Sequence, residues 1–297
     1  MDGQRYGVVV GVNSCGSNAR VPVLRFAEID AQAFYDHLTD QVTGTFDSAS
    51  VRLLIGSAAT TAAVKAALRD TALRMSPSDV LFVYFAGHAI VSPWLRHNDP
   101  YLVTSDLDPD SLRVDPDRGL RMSFLRRDVF EAAQGSSFLI LDTCHAGAYL
   151  DVKTTHASHR ERMTIDALED SYEMRSLTRY GGLFACAADG SARETAELHH
   201  GVLTHHVLRA MQGEAAGQAG EVTFDALVSY VRRQDIQPEP GSVTQGWGPA
   251  TVLTRLGAER GLGHVIRSPP APRPAAMMVA SGIRCKSAGV VPASWSG

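Results

Sequence analysis

The chain lacks the features that would place its 297 residues in a special class of protein. No apolar run approaches the ~20 residues that a membrane-spanning helix needs. The formal net charge of -4 offers no attraction for nucleic acid or for an anionic membrane. The amino terminus runs directly into an apolar segment without a signal peptide, which predicts a cytoplasmic protein. We therefore expect an ordinary globular protein with neither nucleic acid nor membrane as partner.

Cysteine is scarce, and its placement excludes two common uses. The four cysteines are far apart and form no CxxC pair, which argues against a disulfide framework or a zinc site. Cys15 stands in a loop of Ser, Gly and Asn, Cys186 in a run typical of small buried residues, and Cys285 near the carboxyl terminus. Only Cys144 comes directly after an apolar run, so we expect chemistry there alone.

Two apolar runs end at reactive side chains. Residues 80–88 read Val-Leu-Phe-Val-Tyr-Phe-Ala-Gly-His, and residues 138–147 read Phe-Leu-Ile-Leu-Asp-Thr-Cys-His-Ala-Gly. Such runs are typical of buried parallel strands, whose carboxyl ends carry the chemistry of open α/β sheets. Two neighbouring strands would bring His88 and Cys144 to one edge. An imidazole that takes the proton of a thiol produces a nucleophilic thiolate.

The rest of the chain alternates between strand and helix patterns. This alternation predicts an α/β fold with a mainly parallel central sheet and helices on both faces. Residues 151–179 are charged and lack an apolar period, and residues 267–297 have the composition of a disordered tail. The predicted strands are 6–12, 51–55, 79–85, 101–103, 137–142, 182–187 and 251–256; the predicted helices are 24–38, 60–75, 124–133 with Ser123 as cap, 203–211 and 223–232.

Both reactive motifs resemble those of a known family. Ala-Gly-His-Ala and Asp-Thr-Cys-His-Ala-Gly resemble the His and Cys motifs of caspase-like peptidases. They are more similar to Ser-Gly-His-Gly and Asp-Ser-Cys-His-Ser-Gly of metacaspases and bacterial caspase homologues than to the Gln-Ala-Cys-Arg-Gly of animal caspases. Residues 27–31 resemble the first helix of that family, and His-Gly-Val-Leu-Thr at 200–204 resembles its Gly-x-Phe-Thr.

This resemblance extends over residues 5–256 and implies a caspase-like sandwich. The peptidase domain would occupy residues 1–260, with a large-subunit-like part at 1–150, a linker at 151–179 and a small-subunit-like part at 180–260. It implies a cysteine endopeptidase that needs no organic cofactor and acts on protein or peptide substrates. Two alternatives remain open: an interaction module without activity, and an acyl-transfer or deamidating enzyme that uses the same two residues.

The resemblance also implies roles for single residues. Cys144 would be the nucleophile, and His88 would be the base and later the acid for the leaving amine. The backbone N–H groups of Ala89 and Cys144 would form the oxyanion hole.

Two carboxylates carry the expectation about specificity. On an alternating strand, Asp142 should project to the same side as Cys144. The resemblance implies that Asp30 and Asp142 line the pocket for the residue before the scissile bond, where they would select Arg or Lys. Ala86, in a position that is often Ser in metacaspases, would make this pocket less polar. The simpler interpretations are that Asp30 is a solvated helix residue and that Asp142 is a strand-end or capping residue.

An enzyme that prefers basic residues would find substrates in its own linker. The resemblance implies processing in this segment, which we expect to be exposed. The candidate cleavage sites are the basic residues Lys153, Arg160, Arg162, Arg175 and Arg179.

Metal ions are not expected. Asp99 and Asp151 fall where metacaspases carry calcium-binding acids, but Met122 and Ser123 replace the second acidic pair. Calcium needs about six or more oxygen ligands, several of them carboxylates. Four histidines stand close together without a Cys or carboxylate pattern that would complete a metal site; they are His199, His200, His205 and His206.

Overall fold

The structure is a computed structural model. It describes residues 3–16, 21–91, 99–145, 179–186, 194–195, 197–236, 240–245 and 252–256. The predicted tail at 267–297 and all of the predicted linker except Arg179 lie outside these residues.

Besides short 3₁₀ and π segments, the described residues contain twelve strands and five α-helices. In order they are β1 (Arg5–Gly11), α1 (Ala27–Leu38), β2 (Val51–Ile55), α2 (Thr61–Arg74), β3 (Val80–Val91), β4 (Pro100–Leu102), β5 (Leu120–Arg121), α3 (Met122–Phe124), β6 (Ser136–His145), β7 (Tyr180–Cys186), β8 (Glu194–Thr195), β9 (His200–Gly201), α4 (Val202–Arg209), β10 (Glu221–Thr223), α5 (Phe224–Arg232), β11 (Gly241–Gln245) and β12 (Val252–Arg255).

The central sheet is mainly parallel, as predicted. Its main path runs β11-β7-β6-β3-β1-β2, and the five strands from β7 to β2 are parallel to their neighbours. The edge strand β11 runs antiparallel to β7, while β4 and β5 extend the sheet antiparallel beside the end of β3. The long apolar strands β3 and β6 lie in the middle, where both of their faces are buried.

Helices cover both faces of the sheet, which confirms the predicted layers. Residues of α2 and α3 pack on one face, and residues of α1, α4 and α5 pack on the other. Along β3, Phe82 and Tyr84 belong to the second face and Val83 to the first. Phe34 of α1 stacks on Tyr84 with a centroid distance of 4.4 Å. Since strand positions alternate, position 88 falls on the face of α1 and α4.

A reciprocal contact places the start of α1 against the end of β1. The Asn13 side-chain oxygen accepts a hydrogen bond from the Glu28 backbone N–H at 3.2 Å, and the Glu28 carboxylate accepts one from the Asn13 N–H at 3.2 Å. The donors at a helix start need such partners. The contact holds the first turn of α1, which contains Asp30, beside the carboxyl ends of the strands.

Several predicted elements were wrong in detail because of tertiary partners. β3 continues to Val91 since β4 pairs with residues 89–91. The helix predicted at 124–133 begins instead at Met122 and continues as a π-helix over Leu125–Phe130, so Ser123 lies inside it and is not its cap. The carboxyl-terminal strand β12 pairs with β10 in a separate two-stranded sheet. The edge strand β11 was not predicted.

Among the helices that the structure describes, none has the length and apolar character to cross a bilayer.

Candidate active site

His88 and Cys144 lie directly opposite each other on the two central strands. Parallel pairing of β3 and β6 places His88 in register with Cys144, and Ala86 in register with Asp142. Neighbouring strands are about 4.8 Å apart, and registered positions share one face of the sheet. The structure therefore brings the two predicted dyad positions to one edge, as the strand-end motifs indicate.

The imidazole of His88 is buried and held by a backbone carbonyl. Its Nε2 lies 2.9 Å from the carbonyl oxygen of Pro22. A carbonyl can only accept, so Nε2 carries the proton and donates it. In the neutral ring, Nδ1 then holds the lone pair and is the basic nitrogen. The loop before α1 thus selects the tautomer, a role that the sequence did not reveal.

Asp30 is a buried residue of α1 whose carboxylate receives two hydrogen bonds. One oxygen lies 2.5 Å from Nδ1 of His200, and the other accepts the backbone N–H of Gly201 at 2.9 Å. The Asp30 side chain is 3% exposed and that of His200 is 14% exposed. Because Asp30 is this deeply buried, its reading as a solvated helix residue is wrong.

Asp142 is tied to the first turn of α4. Its Oδ2 accepts the backbone N–H of Thr204 at 3.0 Å and the Thr204 hydroxyl at 2.5 Å. The Tyr84 hydroxyl lies 2.6 Å from the same threonine oxygen. Since Thr204 gives its only hydroxyl proton to Asp142, Tyr84 must donate to Thr204. Burial, with the nearby charges of Asp30 and Asp142, holds the pKa of Tyr84 well above its usual value, so it remains a donor.

The two carboxylates converge on Gly201. A Cβ at this position would lie 3.1 Å from Oδ2 of Asp30 and closer still to Oδ2 of Asp142. Only a residue without a side chain fits between the two oxygens. Asp30, Asp142 and Gly201 come from three distant parts of the chain, so tertiary structure builds this acidic pair.

Two alanines complete the set of predicted site residues. Ala86 is buried on the same face as Asp142 and accepts a hydrogen bond from the Val12 N–H through its carbonyl at 3.0 Å. Ala89 lies one residue beyond His88, with its methyl in the core of the opposite face. The contribution of the Ala89 backbone N–H to an oxyanion hole stays a prediction.

Asp99, at one of the positions where the resemblance places a calcium ligand, is hydrogen-bonded within the protein. Both oxygens of Asp99 are engaged by Ser123: one accepts its backbone N–H at 3.0 Å and the other its hydroxyl at 2.5 Å. The Met122 side chain is buried in the core. Asp151 lies outside the described residues. Asp99 thus serves as the capping partner of α3.

The histidine-rich segment divides into unrelated contacts. His200 pairs with Asp30, whereas His205 and His206 pack against each other edge to face at 5.2 Å. Burial is the main cause that lowers the pKa of both His205 and His206. Within the described ranges no group of three or more His, Cys, Asp or Glu could hold a metal ion.

Comparison with known families agrees with this geometry. A model of the caspase domain matches residues 5–240, which include both motif strands and the first turn of α4. The chain belongs to the caspase domain family. This membership confirms the resemblance seen in the motifs and identifies the domain as one of cysteine peptidase type, with proteins as the implied substrates.

A solved structure shares the fold. Protein GSU0716 from Geobacter sulfurreducens is 16% identical, with a TM-score of 0.58, and the match covers 86% of this chain and 98% of that one. At this identity the similarity shows a common fold alone. No curated protein matches the chain.

Sequence reasoning missed the roles of Pro22 and His200, and also that of Thr204 as the donor to Asp142. The Pro22 carbonyl carried no signal, because a backbone acceptor is independent of side-chain type. His200 does carry one, since it directly precedes the Gly-Val-Leu-Thr segment, but the adjacent His199 hides its distinct role. Its contact with Asp30 joins residues 170 positions apart, and neither partner alone indicates the other.

Proposed function

We propose that this caspase-domain protein is an endopeptidase that cleaves after Arg or Lys through Cys144 and His88. The register of His88 with Cys144 on adjacent parallel strands carries the proposal. An imidazole whose Nε2 is committed to Pro22 offers Nδ1 as the base. The family match supports the peptidase chemistry, and the acidic pair supports the basic specificity.

The proposed cycle needs only these groups and water. His88 takes the proton of the Cys144 thiol, and the thiolate attacks the scissile carbonyl carbon. The backbone N–H groups of Ala89 and Cys144 donate to the oxyanion that forms. Collapse of this intermediate breaks the C–N bond, and His88 gives its proton to the leaving amine. Water, deprotonated by His88, then hydrolyses the thioester and releases the acid product.

The acidic pair is the feature that favours a cationic residue before the scissile bond. Asp30 and Asp142 place two carboxylates on the same face of the sheet as position 144, where both Oδ2 atoms approach Gly201. A guanidinium or ammonium group can form charge-assisted hydrogen bonds with them. An aspartate in the same place would face two like charges and be rejected.

The test compares fluorogenic peptides that differ only in the residue before the scissile bond. We expect cleavage with Arg or Lys, none with Asp, and loss of activity in Cys144→Ala with the fold retained. An Arg-based electrophilic peptide should label Cys144. Failure to label at all would favour an interaction module. Labelling by small electrophiles but not by the peptide would favour an acyl-transfer or deamidating enzyme.

The linker is proposed to be processed by the enzyme itself, at one of the basic residues named above. Among these, Arg179 is the least suited. Its carbonyl accepts the Ser137 N–H at 3.0 Å, next to the start of β7. β6 rises roughly 23 Å from position 137 to position 144. Arg179 therefore lies near the amino ends of the strands, away from Cys144 at their carboxyl ends. The proposal therefore favours Lys153, Arg160, Arg162 and Arg175.

A further inference from the structure

His200 donates a hydrogen bond to the buried carboxylate of Asp30. Burying a carboxylate costs several kcal/mol unless hydrogen bonds compensate for the lost water. A second carboxylate close by raises this cost, because like charges disfavour ionisation of both. Asp142 is compensated by the backbone and hydroxyl of Thr204. Asp30 accepts hydrogen bonds from Nδ1 of His200 at 2.5 Å and from the backbone N–H of Gly201 at 2.9 Å.

The backbone places this imidazole with little freedom. His200 and Gly201 form β9, which pairs with β8, and α4 begins at the next residue. The preceding residue, His199, has a φ of 53°, an uncommon left-handed conformation for a residue with a side chain. Surrounding structure must hold such a residue in place. The turn at His199 therefore directs the following imidazole toward Asp30.

We propose that His200 is a positioning residue for substrate charge recognition: its Nδ1–H keeps Asp30 ionised and oriented beside Asp142. This inference rests on the proposed specificity for Arg or Lys. A carboxylate has about four lone-pair positions, which is more than the donors of His200 and Gly201 use, and a substrate cation can share the same oxygens. Without His200, ionisation of Asp30 beside Asp142 becomes less favourable, and the pocket loses part of the charge that attracts the cation.

The alternative is a purely structural role, in which His200 only fastens β9 to α1. The two roles predict different kinetics. Loss of a fastening contact would disturb the site for every substrate alike. Loss of the ionised state of Asp30 would affect only substrates that carry a positive charge.

The experiment uses two peptides that differ only by Arg or citrulline before the scissile bond, since citrulline is a neutral near-isostere of Arg. Three proteins are compared: wild type, His200→Ala and His200→Asn, whose amide nitrogen can replace Nδ1 as donor. Specificity is measured as kcat/KM. The Kd of the same peptides is also measured for each protein with the additional Cys144→Ala change, so that the pocket is tested without catalysis.

We expect His200→Ala to lower the ratio of Arg over citrulline at least tenfold, with the citrulline values within about threefold of wild type. His200→Asn should restore most of the ratio. An unchanged ratio in His200→Ala, or equal behaviour of the two variants, overturns the inference while the proposed specificity stands. A wild-type protein that does not prefer Arg in either measurement overturns both.

Discussion

The Asp142 carboxylate and the Thr204 hydroxyl, 62 positions apart in sequence, share a hydrogen bond of 2.5 Å. It connects β6, the strand that contains Cys144, with the first turn of α4. Thr204 is fully buried, and its hydroxyl also receives the proton of Tyr84. A single threonine thus satisfies polar groups from both central strands, the buried Tyr84 hydroxyl and the half-buried Asp142 carboxylate.

Thr204→Val should destabilise the protein by about 1–3 kcal/mol, because the change keeps the shape but leaves Asp142 and Tyr84 without this partner. Thr204→Ser retains the hydroxyl and serves as the control, with a smaller loss from the missing methyl. Urea denaturation followed by circular dichroism measures both. Equal stability of the Val and Ser variants would contradict the importance of the hydroxyl.

Asp142→Asn should reduce kcat/KM for Arg peptides by more than tenfold. The change removes one charge from the pocket, and a buried cation that loses its partner costs about 2–5 kcal/mol. The amide oxygen can still accept from Thr204, so the fold should persist. Asp128→Asn is the matched control. Asp128 forms a surface ion pair with Arg69, and removing such a pair has little effect. A measured preference for Asp peptides would refute the basic pocket.

Purified wild-type protein should convert into two fragments, whereas Cys144→Ala should remain intact. Mass spectrometry should place the cut after Lys153, Arg160, Arg162 or Arg175. Arg179→Gln should be processed normally, because the backbone carbonyl of Arg179 is hydrogen-bonded to Ser137 at the start of β6, away from Cys144. Wild-type protein that is stable, uncut and fully active would show that processing is not required.

When the pH drops below about 6.5, the free energy of unfolding should decrease, in part because of His37. Its Nε2 lies 3.3 Å from the Thr254 hydroxyl, and burial is the main cause that lowers its pKa. The unfolded chain therefore binds a proton before the folded one does, and stability decreases as pH falls from about 6.5 toward the folded pKa. His205 and His206 act in the same direction.

His37→Gln isolates the contribution of this one group. We expect the variant to lose less stability than the wild type between pH 7 and pH 5, measured by urea denaturation at each pH. A parallel decline in both proteins would show that His37 does not contribute.

Chelation of calcium should leave activity unchanged. Asp99 is engaged by Ser123 through both oxygens, and Met122 lies in the core. Assays with excess chelator, then with calcium restored, check this expectation. A chelator that abolishes activity, with recovery on calcium, would show that other residues supply the ligands.

The sequence by itself determined the sheet and the positions of the dyad. Short runs of Val, Phe, Leu and Ile are typical of central parallel strands, so the middle parts of β3 and β6 were predictable from local composition. The helices at 61–74, 202–209 and 224–232 were also predicted from local sequence, at 60–75, 203–211 and 223–232. These strands and helices depend mainly on residues that are close together in sequence.

Tertiary structure alone decided which groups donate hydrogen bonds to the carboxylates of Asp30 and Asp142. The sequence indicated that Asp30 and Asp142 belong to one pocket only through resemblance, and it did not indicate that His200 and Thr204 are their donors. It also missed the extension of β3, which exists because β4 pairs with it. Hydrogen bonds between residues far apart in sequence depend on how helices and strands pack, and no local pattern encodes that packing.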